Sequence, residues 1–176
     1  MNPTDLLVTR DRGDLVLTRT FAAPIDDVWA ACTEPARMER WIGTWTGDPA
    51  SGEVVFRMTA EGDDVPAEVY DVEACEPPRR FVVRSRDAAS FSPDGSGPQV
   101  HWQHTLELAE ADGVTTLTFR QAVPDGPVGA DMVASVGPGW DYYLDRLVAS
   151  YAGDDPGGID FEPYLERSDD YRALFG

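Results

Sequence analysis

Hydrophobic and polar positions change period several times along the chain, and each change predicts a change of element. After a polar leader, Asp14-Leu-Val-Leu-Thr-Arg-Thr-Phe21 alternates, which predicts a strand with Leu15, Leu17 and Phe21 toward a core. At Ala23-Pro24 the period becomes helical. Proline suits the first position of a helix, and Asp26 and Asp27 complement the positive end of its dipole. Ile25, Val28, Trp29 and Cys32 then fall at i, i+3, i+4 and i+7 on one stripe. Pro35 ends that helix and opens a second short one, with Met38, Trp41 and Ile42 on one side and Gly43 as its stop.

From about residue 44 to 122 the period is two, broken by turn residues at hairpin spacing. Glu53–Thr59, Ala67–Ala74, Arg80–Arg86, Gln99–Leu108 and Val114–Ala122 read as strands of an antiparallel meander. Cys75-Glu-Pro-Pro78 interrupts pairing, because proline donates no ladder hydrogen bond. The run Ser92-Pro-Asp-Gly-Ser-Gly-Pro98 predicts a long hairpin tip. In Gln99–Leu108, Val100, Trp102, His104, Leu106 and Leu108 share the apolar face, with His101, Gln103, Thr105 and Glu107 opposite.

Trp140, Leu144, Leu147, Val148 and Tyr151 restore the helical period, leaving Asp141, Asp145 and Arg146 for solvent. Gly137-Pro-Gly139 is expected to start or kink this helix. Beyond Gly153 the chain is acidic, yet Phe161, Tyr164 and Leu165, then Tyr171, Leu174 and Phe175, are spaced like two one-sided turns. A disordered segment carries fewer aromatics, so docking is expected. The organisation read here is one domain over 14–153 and an acidic tail over 154–176 docked on it.

Charge narrows the functions. Among 176 residues, 14 arginines and no lysine face 32 carboxylates, a formal net charge of −18. Such a surface repels nucleic acid and anionic membranes, which require clustered positive charge. No run approaches the roughly 20 apolar residues of a membrane span, and the N-terminal segment has no basic and apolar leader pattern. A cytoplasmic protein without membrane insertion is expected. Cys32 and Cys75 stand far apart, which suits isolated thiols in a reducing compartment.

Three stretches resemble a known superfamily. Phe21-Ala-Ala-Pro-Ile-Asp-Asp-Val-Trp-Ala-Ala-Cys-Thr-Glu-Pro35 followed by Trp41 is similar to the opening of SRPBCC (START-like, Bet v 1-like) domains, nearest the activator-of-Hsp90-ATPase-homologue group. Val69–Phe81 resembles that group's strand-turn-strand centre, and Gly139–Leu147 its C-terminal helix signature. The resemblance implies an α+β helix-grip fold: a curved antiparallel sheet wrapped around a long C-terminal helix, with two short helices after the first strand. It also implies an apolar cavity between sheet and helix, which in many relatives holds a lipid, sterol or polyketide. The 92–98 loop and the tail lie outside the shared core, and either could cover the cavity mouth.

The candidate chemistry lies in that interior. His101 and His104 point to opposite faces of a strand and cannot chelate one ion, so no metal or other cofactor is expected. Trp45, Phe56, Met58, Tyr70, Trp102, His104, Phe119, Trp140, Tyr143, Leu144 and Leu147 are the expected cavity residues: aromatic walls with a few polar tips. No Ser-His-Asp order, nucleophile elbow or phosphate-cradling loop is recognisable. Three readings stay open. The first is a binding protein for a hydrophobic small molecule. The second is a polyketide cyclase or dehydratase using His104 and Tyr143. The third is an Hsp90 co-chaperone-like interaction domain; a protein partner or a homodimer is compatible with each.

Overall fold

In a computed structural model that describes residues 8–92 and 94–176, the alternating segments form one eight-stranded antiparallel sheet. The first seven residues of the leader and Pro93 of the hairpin tip lie outside the described residues. The strands are β1 (Val8–Asp11), β2 (Asp14–Phe21), β3 (Thr44–Thr46), β4 (Glu53–Arg57), β5 (Glu68–Glu76), β6 (Arg80–Ser85), β9 (Gln103–Ala111) and β10 (Val114–Gln121). Their order is β1-β2-β10-β9-β6-β5-β4-β3. Two further short strands, β7 (Ala89–Ser90) and β8 (Gln99–Val100), pair only with each other. The sheet curves around the long helix α3 (Pro127–Ala152), and α1 (Ile25–Thr33) and α2 (Pro35–Met38) follow β2, giving the expected α+β helix-grip fold.

The structure departs from the sequence reading at several places, among them Cys75 and Glu76, which pair with Phe81 and Arg80 instead of interrupting the sheet. The leader contains a strand, β1, joined to β2 through Arg12 and Gly13, both at positive φ, as a two-residue hairpin requires. The expected strand Gln99–Leu108 is two strands broken at His101 and Trp102, where Ser85 binds the chain. Its amide donates to the Trp102 carbonyl at 2.8 Å, and its hydroxyl accepts from the Trp102 amide at 2.9 Å. The second short helix ends at Met38, and Trp41 is instead fixed by its indole N–H donating to the Ala31 carbonyl at 3.0 Å. Gly43 sits so close to the Arg57 carbonyl that no side chain fits there.

The largest correction concerns α3, which spans 26 residues and carries Gly137-Pro138-Gly139 in its interior. Pro127 occupies its first turn, and Met132 and Val133 are fully buried. Pro138 removes one backbone donor; the helix is held across that gap by what packs on both sides of it. Leu15, Leu17, Leu117 and Phe119 of the sheet meet Val133, Leu144 and Leu147 of α3 in the core.

The tail folds into α4 (Glu162–Leu165) and α5 (Ser168–Ala173). Tyr171 and Phe175 are buried, whereas Leu165 and Leu174 remain exposed. One side of α3 therefore carries the tail.

Candidate functional site

Between the concave face of the sheet and α3 lies a cavity of about 440 Å³. Alternation along β3, β4, β5, β9 and β10 brings Trp45, Phe56, Tyr70, His104 and Phe119 to its wall, with Met58 and Trp102 just beyond strand ends. From the helix come Trp140, Tyr143 and Leu144, which share a face by the i, i+3, i+4 rule. Leu147, expected beside them, is off the lining: it lies one turn further on and is packed in the core.

The rings form two groups, one around His104 and Trp140 and one of Trp29, Trp45 and Phe81. Phe119 and Trp140 stand 4.3 Å apart between centroids, His104 and Trp140 4.8 Å, and Trp45 and Phe81 5.3 Å. His104 also meets Tyr70 and Phe119, so its imidazole is walled by three aromatics. Its Nε2 is buried without a partner, as is Oε1 of Gln121, its register neighbour on β10. Burial pushes the His104 pKa down to about 4, and the nearby Gln121 amide offsets this only in part. The ring is therefore a neutral imidazole at neutral pH.

Two carboxylates not foreseen from the sequence also line the cavity. Tyr143 donates its hydroxyl to Glu61 Oε1 at 3.0 Å, and Tyr70 donates to Glu68 Oε2 at 3.1 Å. Both phenols are pushed well above the usual tyrosine range, first by burial and then by the adjacent carboxylate. Glu68 had a signal in the sequence, since it alternates with Tyr70 along β5. Glu61 had none, because it follows β4 in a short 3-10 turn. Both are exposed, which marks the end where the cavity meets solvent. Cys32, buried at the wall, stays a thiol because burial raises its pKa to about 12. Phe161 of the tail contributes to the rim. Among the described residues, no arginine lines the space.

His101 lies apart from His104's ring contacts, its Nδ1 3.0 Å from the Ser85 carbonyl. Among the described residues, no group of three or more His, Cys, Asp and Glu side chains could hold a metal ion. No helix among them is long and apolar enough to cross a membrane.

The opposite side of α3 is built differently. Asp141, read from the sequence as solvent-facing, is 1% exposed. Its Oδ1 accepts from Arg19 of β2 at 2.5 Å, and its Oδ2 accepts from Arg167 at 2.9 Å and from the Tyr171 hydroxyl at 2.6 Å. Arg19, itself buried, also donates to Asp145 at 2.9 Å, and Tyr164 donates to the other oxygen of Asp145 at 2.6 Å. A buried charge is tolerable only when paired and hydrogen-bonded in this way.

Residues 22–152 match the family described as Activator of Hsp90 ATPase homolog 1-like protein. No curated protein matches the chain. Among solved structures, CalU16 from Micromonospora echinospora is 27% identical, with 92% of this chain and 88% of that chain covered and a TM-score of 0.68. The BPP1335 protein from Bordetella parapertussis is 22% identical over 92% and 86% of the two chains, TM-score 0.65. DynU16, a protein of the dynemicin biosynthetic locus, is 22% identical over 83% of this chain and 50% of that one, TM-score 0.56.

Proposed function

From the premise that the chain belongs to the Activator of Hsp90 ATPase homolog 1-like family, with the SRPBCC fold of its structural neighbours, we propose that it binds a small hydrophobic molecule between its sheet and α3. The observation that carries this reading is the unfilled space of about 440 Å³ walled by Trp45, Phe56, Trp102, Phe119 and Trp140. Closely packed cores leave few voids larger than a water molecule, whereas ligand sites are apolar clefts of roughly 300–1,000 Å³ with a few polar groups. Tyr70, Tyr143, Glu61 and Glu68 are those polar groups, and Leu147 has no part in the site. The setting proposed with this function is cytoplasmic.

The cyclase or dehydratase reading draws less support. Its acid and base would be His104 and Tyr143, but a ring with a pKa near 4 is not an imidazolium at neutral pH and is a weak base. The Tyr143 phenol already donates to Glu61. The co-chaperone reading rests on the family's description alone.

Native mass spectrometry of gently purified protein, with thermal-shift screening against lipids and polyketides, tests the proposal. One bound molecule and a raised Tm are expected. A screen in which none of these compounds raises Tm, with no adduct in the spectrum, ends it.

A further inference from the structure

Resting on that binding reading, we propose that the cavity selects a cation: an amphiphile with a flat apolar body and a protonated amine. The charged side chains on the lining are Glu61 and Glu68, and among the described residues no arginine stands there. The protein has no lysine, so none could supply the missing positive charge.

The two carboxylates are poised rather than used. Tyr143 engages Oε1 of Glu61 and Tyr70 engages Oε2 of Glu68, which fixes each group against the wall and leaves its second oxygen without a side-chain partner among the described residues. Neither glutamate belongs to an ion pair among the described residues. On the outer surface the pattern is the reverse: Arg86 spans both Glu53 and Asp71, and Arg120 spans Asp11 and Glu107. An ammonium group entering at this end gains a charge-assisted acceptor at Glu61 or Glu68, and the apolar body behind it meets the rings of Trp45, Tyr70 and Trp140. A carboxylate or sulfonate of the same shape meets two like charges with no counter-charge on the wall. The neutral state of His104 adds no positive charge to change that balance.

Three pyrene probes of one shape test this on the full chain: 1-pyrenemethylammonium, 1-pyrenemethanol and 1-pyrenecarboxylate, titrated at low salt by pyrene fluorescence. The expected order of affinity is cation, then alcohol, then anion, with the ammonium about three- to tenfold tighter than the alcohol, the scale of a partly exposed ion pair. In Glu61→Gln/Glu68→Gln this preference collapses while the alcohol still binds, which also shows that the variant is folded. Asp169→Asn/Asp170→Asn changes net charge equally on exposed residues of α5 and keeps the preference. Equal binding of alcohol and ammonium overturns the proposal, as does equal loss of preference in both double variants. If no probe of any charge binds, the binding reading itself fails, and this inference with it.

Discussion

The two sides of α3 solve opposite problems with the same helix. Toward the sheet, Gly139, Trp140, Tyr143 and Leu144 front a space that nothing among the described residues fills. Toward the tail, Gly137 and Asp141 are covered, the first by the Tyr171 ring and the second by Arg19, Arg167 and the Tyr171 hydroxyl. Ionic groups are buried where the structure is closed, and aromatic surface is left where it is open. On the proposed binding reading, the contrast would let the open wall keep its shape. The packed, hydrogen-bonded groups lie on the tail side.

The most damaging way to break that contrast is to remove Asp141. Asp141→Ala leaves Arg19, 5% exposed, without its buried partner and cuts the tail from two of its anchors. Arg19 keeps Asp145 at 2.9 Å, so the loss should fall toward the lower end of the about 3–5 kcal/mol that breaking a buried pair costs. Chemical denaturation should report that loss, with faster amide exchange over 154–176. A variant within about 1 kcal/mol of the parent, with the tail still protected, would mean that the network is incidental.

On the cavity side His104 is the group whose shift acts in the acid range, and its effect is a slope in pH rather than a lost contact. Its folded pKa near 4 lies below the ordinary value of 6.5. The neutral form is thus favoured by folding. As pH falls below 6.5 the unfolded chain takes up a proton that the folded protein refuses, so stability declines down to about pH 4. The decline from this group is at most about 3 kcal/mol. Above pH 6.5 it contributes no slope. Denaturation at pH 7.5 and 4.5 should show a smaller acid loss in His104→Phe than in the parent, carboxylates contributing equally to both. Parallel pH profiles would place the ring in a solvated setting.

The same two sides of α3 differ in how legible they are in the sequence. The cavity wall was readable because a strand sends every second side chain to one face: Trp102, His104 and Leu106 remain together although the strand is broken at 101–102. The proline-led helices α1 and α2 were readable from their stripes for the same local reason. The tail side was opaque. Asp141 lies beside the apolar stripe and looks solvent-facing until Arg19, 122 positions away, and Tyr171, 30 positions away, converge on it. The first half of α3 was hidden by its small residues, since Gly129, Ala130 and Ala134 pack closely without producing a strong apolar period. β1 was hidden because Val8 is its one apolar residue. Glu61 reaches the cavity by chain geometry after β4, which no residue pattern announces.

Two glycines a single residue apart give the finest test of the difference. Gly137→Ala would push a methyl group into the Tyr171 ring, which cannot swing aside without losing its bond to Asp141. Overpacking of this kind costs about 1–3 kcal/mol, and limited proteolysis should then cut the tail sooner. Gly139→Ala has the opposite sign. A Cβ built there meets nothing within 4 Å, the position is helical, and the methyl group points into open space. Alanine restricts the unfolded chain and favours the helix, so stability should rise by about 0.5–1 kcal/mol. The added atom takes little of the 440 Å³, so a bulkier Gly139→Leu is needed to separate space from stability. It should weaken binding of the neutral pyrene alcohol while the protein stays folded. If Gly139→Ala instead destabilised as much as Gly137→Ala, the cavity side of the helix would be as closely packed as the tail side, and the distinction between a closed face and an open one would fall.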